Sequence, residues 1–156
     1  MLDVALLGSD GEPVPHGQPG EVAIRGPTVI HGYVHHGKEA GAVDAAGWFH
    51  TGDVAVALPD GGIRVVDRVK DMLLVGGENV YSSEVEHVLM AHPCVAEAAV
   101  MGIPNTVLGE VVGAAVVLSG GVTEQALTAW CAARLASFKV PARIAIMEAL
   151  PKTGCA

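Results

Sequence analysis

The chain has 156 residues, enough for one ordinary domain or two small pieces, and 51% of them are hydrophobic, so a packed core can form. Aromatic residues make up only 4%, which leaves the packing largely to Val, Ala and Gly. The formal charge of -8 excludes a nucleic-acid-coating surface, which needs a basic stripe, but not the binding of a single nucleotide.

In chain order, residues 2–7 alternate weakly and stop at the turn signal Gly8-Ser9-Asp10-Gly11. Pro13, Pro15 and Pro19 predict a loop. Glu21 to Arg25 alternates polar and apolar residues, as a half-buried strand does, and Gly26-Pro27 ends it. His31, His35 and His36 fall in a Gly-rich loop, and no histidine of the chain sits in an HExxH pattern, so no metal site is expected there. Val54 to Leu58 and Ile63 to Val66 flank Pro59-Asp60-Gly61-Gly62 and read as a hairpin. Residues 1–68 are therefore predicted as strand and turn.

The texture then changes. Met72 to Val75 and Asn79 to Tyr81 flank Gly76-Gly77, which suggests a second, smaller hairpin. Ser83-x-x-Glu86 has the form of a capping box opening a helix with Val85, Val88 and Leu89 on its apolar face, ended by His92-Pro93. Val95 to Ile103 reads as a strand, Pro104-Asn105 as a loop, and Val111 to Leu118 as a buried strand closed by Gly120-Gly121. Thr123 is placed to cap a helix carrying Leu127, Trp130, Cys131 and Leu135 on one face, and Pro141 precedes a last strand, Ile144 to Met147. The fold class expected is α+β, with a boundary between residues 68 and 69.

Three cysteines, Cys94, Cys131 and Cys155, are widely spaced and form no CxxC. That pattern favours reduced thiols and a cytoplasmic setting over a disulfide framework or a zinc site. Neither a signal peptide nor a membrane-spanning run is expected. No GxGxxG or Walker-type loop occurs, so nothing here cradles phosphates by itself.

Chemistry concentrates between Gly47 and Glu86. Thr51-Gly52-Asp53 sets a carboxylate just after a glycine, and Arg68 follows in the charge cluster Asp67-Arg68-Val69-Lys70-Asp71. An acceptor after a Gly-containing turn, with a forked donor further on, suits a ribose whose hydroxyls need both. The same spacing also describes a hairpin with a solvated charge cluster, in which Arg68 pairs with Asp67 or Asp71.

The ordered series GEVAIRGPTVIHGY, GWFHTGD, VDRVKDMLLVGGENVYSSEVE, HPCVAEAAVMGIPNTVLGEVVGAAVV and LASFKVPARIAIMEALPKTG resembles consecutive motifs of the adenylate-forming superfamily. That superfamily includes acyl-CoA synthetases, luciferases and the adenylation domains of peptide synthetases. Peptide-synthetase domains usually read GR-x-D-x-Q-x-K at the hinge, so DRVKD favours the CoA-ligase branch. The resemblance implies that 1–68 is the β-rich close of a large AMP-binding domain and 69–156 most of a small C-terminal lid. It implies ATP, Mg2+ and CoA as cofactors, a carboxylate substrate, and CoA or a carrier-protein thiol as acceptor. Asp53 and Arg68 match nucleotide-binding positions, Lys70 the hinge, and Gly76 and Gly77 the place where pantetheine passes the backbone. It also implies that the phosphate loop lies upstream, and that the catalytic lysine would follow LPKTG beyond Ala156. No catalytic residue is therefore expected within the chain, Lys152 included, and activity of the isolated chain is not expected. The rival reading is a non-catalytic lid or docking module, such as one within an assembly-line loading domain.

Overall fold

The computed structural model describes residues 1–30, 32–35, 38–41 and 43–152, with 33–35 and 38–41 described through their backbone alone. His31, His36 and Cys155 lie outside the described residues. The chain is α+β and divides into two compact units, Met1–Lys70 and Asp71–Ala156.

The first unit is built on a four-stranded antiparallel sheet ordered β1-β2-β5-β6, from β1 (Asp3–Leu7), β2 (Pro19–Arg25), β5 (Phe49–Ala57) and β6 (Ile63–Arg68). A separate hairpin pairs β3 (Gly32–His35) with β4 (Lys38–Gly41), so His35 belongs to a strand rather than to the loop expected there. The buried hydrophobic residues of the four-stranded sheet are Leu7, Val22, Ala23, Val54 and Ala55. Two strands begin earlier than their alternation suggested. Pro19 opens β2, a position where a missing N–H is tolerated. Phe49 opens β5, which draws Thr51, Gly52 and Asp53 out of the expected turn and into the strand.

In the second unit, β7 (Met72–Val75) and β8 (Glu78–Tyr81) form the expected small hairpin, followed by α1 (Ser82–Met90). Then come β9 (Val95–Asn105), β10 (Gly109–Leu118), α2 (Glu124–Ala132) and β11 (Arg143–Met147). The sheet runs β11-β10-β7-β8, with β9 antiparallel to β10. β10 and β11 are parallel, so their connection must cross over, and α2 makes the crossing. Val80, Val85, Leu89, Val112, Val116, Leu127 and Cys131 are fully buried between the helices and the sheet. Full burial of a leucine such as Leu89 or Leu127 contributes about 1.5–3 kcal/mol.

Three local expectations for this unit are corrected. The helix start is not at Ser83: Tyr81 is the N-cap residue of α1 and makes no side-chain cap, while Glu86 accepts the backbone N–H of Val100 at 2.9 Å. Pro104 and Asn105 are the last residues of β9 rather than a loop, and the reversal falls on residues 106–108. β9 pairs only with β10 among the described residues, so it is an edge strand and leaves the ring nitrogen of Pro104 no ladder bond to lose. Leu135 lies beyond α2 yet packs against the same core. Thr123 does cap α2, accepting from the backbone N–H of Ala126 at 3.2 Å.

Candidate nucleotide site

The candidate site is a bulge on β5. Glu21 pairs with Val54 and Ala23 with His50, so Val22 alone on β2 faces Thr51, Gly52 and Asp53 on β5. The surplus residues leave the ladder and are held by side chains instead. Thr51 Oγ1 donates to the Val22 carbonyl at 2.9 Å and accepts the Asp53 N–H at 3.1 Å. Glu21 Oε1 accepts the Gly52 N–H at 3.1 Å. Gly52 has φ of +77°, a backbone state that side-chain-bearing residues rarely adopt.

On the other side, Asp53 is the register partner of Arg68 on β6, and Arg68 Nε stands 3.4 Å from Asp53 Oδ1. The forked cation thus pairs across the strands with Asp53. Asp67 takes a different bond, accepting the backbone N–H of Arg68 on its Oδ1 at 2.8 Å. The Arg68 and Asp53 side chains are 61% and 40% exposed, so their mutual attraction is weak and both stay open to a ligand. Together with Glu21, Thr51 and Lys70 they line a cleft of about 460 Å³. Lys70 stands in a 3₁₀ turn, Val69–Asp71, at the end of the first unit. An acceptor, a forked donor and a cation at one cleft suit a polyhydroxylated, anionic ligand.

Gly76 and Gly77 lie in the second unit as the two-residue turn joining β7 to β8, with φ of +59° and +91°. Those angles define a type I′ turn, the form that matches strand twist. Nothing stands within 4 Å of where a Cβ on Gly77 would sit, so that side of the turn is open. Lys152 is exposed and pairs with Glu97 at 3.1 Å.

One constellation gave no signal in the sequence. His50 Nδ1 meets Glu21 Oε2 at 2.9 Å, and its Nε2 meets Asp44 Oδ2 at 3.4 Å. The hydrogen bond to Glu21 is the main reason the imidazole pKa is raised above its ordinary 6.5, against a smaller opposing effect of burial, with Asp44 adding to the rise. Asp44 is lowered, chiefly by the N–H of Trp48. Stability from the protonated ring is therefore complete below about pH 6.5 and is lost as pH rises through the higher folded value. With the ring 38% exposed, the effect is about 1 kcal/mol at most. Thermal melts across that window should show wild type losing stability with rising pH and His50→Gln following a flatter curve. Parallel curves would exclude the pairing.

The residue 84–156 segment matches the family model of the AMP-binding enzyme C-terminal domain. The whole chain is 46% identical to a feruloyl-CoA synthase of Amycolatopsis over 156 residues, covering 99% of this chain and 32% of that protein. It is 41% identical to a long-chain-fatty-acid–CoA ligase of Escherichia coli over 152 residues, covering 97% of this chain and 27% of the ligase. The solved structure of the Bacillus subtilis o-succinylbenzoate CoA synthetase with its acyl-adenylate intermediate superposes with a TM-score of 0.83 at 35% identity. That superposition covers 97% of this chain and 31% of the synthetase. Fold and motif order together define the C-terminal domain type of AMP-binding enzymes over residues 84–156. The chain belongs to the adenylate-forming superfamily, on its acyl-CoA synthetase side. It spans about a third of the length of the curated relatives it matches.

Proposed function

We propose that the chain serves an ATP-dependent acid–thiol ligase, in which a carboxylate and ATP give an acyl-adenylate and pyrophosphate, and a thiol then displaces AMP to give a thioester. The observation that carries this reading is the cross-strand pair of Asp53 and Arg68 at the mouth of the cleft. In it Asp53 accepts from the ribose hydroxyls and Arg68 donates to the same sugar. The acid is of the aromatic or fatty class named for the relatives, and the acceptor is CoA or a carrier-protein thiol. Lys70 is the hinge between the two half-reactions. Gly76 and Gly77 let pantetheine approach the backbone, a role the open side of Gly77 fits.

Mg2+ belongs to this reading as the companion of ATP. Among the described residues no cluster of three or more His, Cys, Asp or Glu is arranged to hold a metal, so no step is assigned to a metal site on them. The setting proposed is cytoplasmic. No helix among the described residues is long and apolar enough to cross a membrane.

The test is Asp53→Ala in a ligase carrying this chain. A hydrogen bond to an ionised acceptor contributes about 1.5–3 kcal/mol, so kcat/KM for ATP should fall about ten- to a hundredfold. Unchanged ATP kinetics in the folded variant would remove Asp53 from the site.

A further inference from the structure

We propose that Glu21 is a positioning residue for Asp53, its two carboxylate oxygens bracing the base and the crest of the β5 bulge against each other. The base is His50, the last residue before the bulge to keep its partner on β2, and Glu21 Oε2 holds its ring at 2.9 Å. The crest is Gly52, whose N–H is taken by Glu21 Oε1 at 3.1 Å. The Glu21 side chain is only 25% exposed, so water competes weakly for either bond.

The need for such a brace follows from the register. A bulge of this size removes Gly52 and Asp53 from the β2 ladder, leaving Asp53 its partner on β6 and Gly52 none among the described residues. Gly52, with its positive φ, is also the residue with the widest choice of alternative conformations. Thr51 ties the start of the excursion to the Val22 carbonyl and takes the Asp53 N–H at its end, but it leaves the Gly52 N–H between them unheld. Glu21 fixes its top. With both in place the Asp53 carboxylate is delivered opposite Arg68; without Glu21 the peptide at Gly52 can rotate, and Asp53 moves with it. Glu21 lines the cleft but acts through Asp53. Its geometric part is independent of the ligand, whereas its consequence for nucleotide affinity rests on the ribose reading above.

The experiment uses the 15N-labelled chain, with AMP as the probe. In Glu21→Ala the Gly52 amide should exchange with solvent about tenfold faster, and the AMP dissociation constant should rise by about the same factor. Glu21→Gln, whose amide oxygen still accepts from Gly52, should stay close to wild type in both. A merely space-filling Glu21 would not separate alanine from glutamine in this way. Unchanged Gly52 exchange in Glu21→Ala overturns the proposal whatever AMP does, and so does a Glu21→Gln as impaired as the alanine variant. Should Glu21→Ala fail to fold, Glu21→Asp takes its place. Its carboxylate is one methylene too short to reach His50 and Gly52 together, so either Gly52 protection or the His50 titration must change. Both unchanged overturns the brace. Asp53→Ala judges the ribose reading separately. If that variant binds AMP as wild type does, the ribose reading falls, while Gly52 exchange still decides the role of Glu21.

Discussion

Replacing Trp130 with alanine is expected to cost the second unit about 3 kcal/mol, near the lower end for loss of a large aromatic because the ring is only partly buried. Trp130 holds the two helices together in two ways, and a third contact covers its ring. Its Nε1–H donates to the Val88 carbonyl at 2.8 Å, meeting one of the last-turn acceptors of α1. His92, just past α1, meets the ring edge-on at a centroid distance of 4.9 Å. The Arg134 guanidinium lies over the ring face at 3.3 Å, and its Nη1 also donates to the Trp130 carbonyl at 3.1 Å. Both α-helices among the described residues belong to this unit, so helical circular dichroism during urea unfolding reports on it selectively. Trp130→Phe keeps a ring under Arg134 and loses the hydrogen bond, and should cost about 1 kcal/mol. An alanine variant no less stable than the phenylalanine one would show that the ring contributes nothing.

The second large effect is expected at Lys70. Proline there fixes φ near -65° and restricts Val69 as well. The chain leaves the first unit at this residue, inside the 3₁₀ turn Val69–Asp71. A hinge works by changing φ and ψ at a few residues while the packed bodies on either side stay intact. If Lys70 is that hinge, Lys70→Pro leaves carboxylate-dependent pyrophosphate exchange largely intact and blocks thioester formation. The two half-reactions are measured separately, in a ligase carrying this chain. Equal loss in both would make Lys70 a structural residue.

The sequence was most readable where structure is local. EVAIR reads as a strand because its apolar middle is packed, with Val22 and Ala23 buried in β2, and Thr123 caps α2 through a bond spanning three residues. The Gly76-Gly77 turn follows from the need for positive φ at both positions. Misreadings arose where a distant partner decided the outcome. Ser83 looked like the start of the helix, yet α1 opens at Ser82, and the bond from Val100 on β9 to Glu86 could not be seen from the local spacing. Pro104 looked like a loop residue, and only the edge position of β9 makes it acceptable in a strand. The same holds at the candidate site. Asp53 and Arg68 stood out as an acceptor and a donor near a glycine. The bulge did not, because it is a register mismatch between β5 and a strand some thirty residues earlier. Glu21 and His50 were invisible for that reason: each is unremarkable until β2 lies beside β5.

Placing the acceptor on a bulged strand has a consequence for how a ligand is received. Site residues are commonly carried on loops, whose ordering is then part of the cost of binding. Fixing the backbone of one residue costs about 1–2 kcal/mol. Here Thr51 and Gly52 are held by bonds to β2 and Asp53 by Thr51 and its register partner on β6, so much of their backbone freedom is already gone once the sheet has formed. A molecule entering the cleft meets a frozen acceptor rather than a searching one. Affinity is then limited by how well the ligand replaces water on Asp53 and Arg68, and not by the entropy of the segment that presents them.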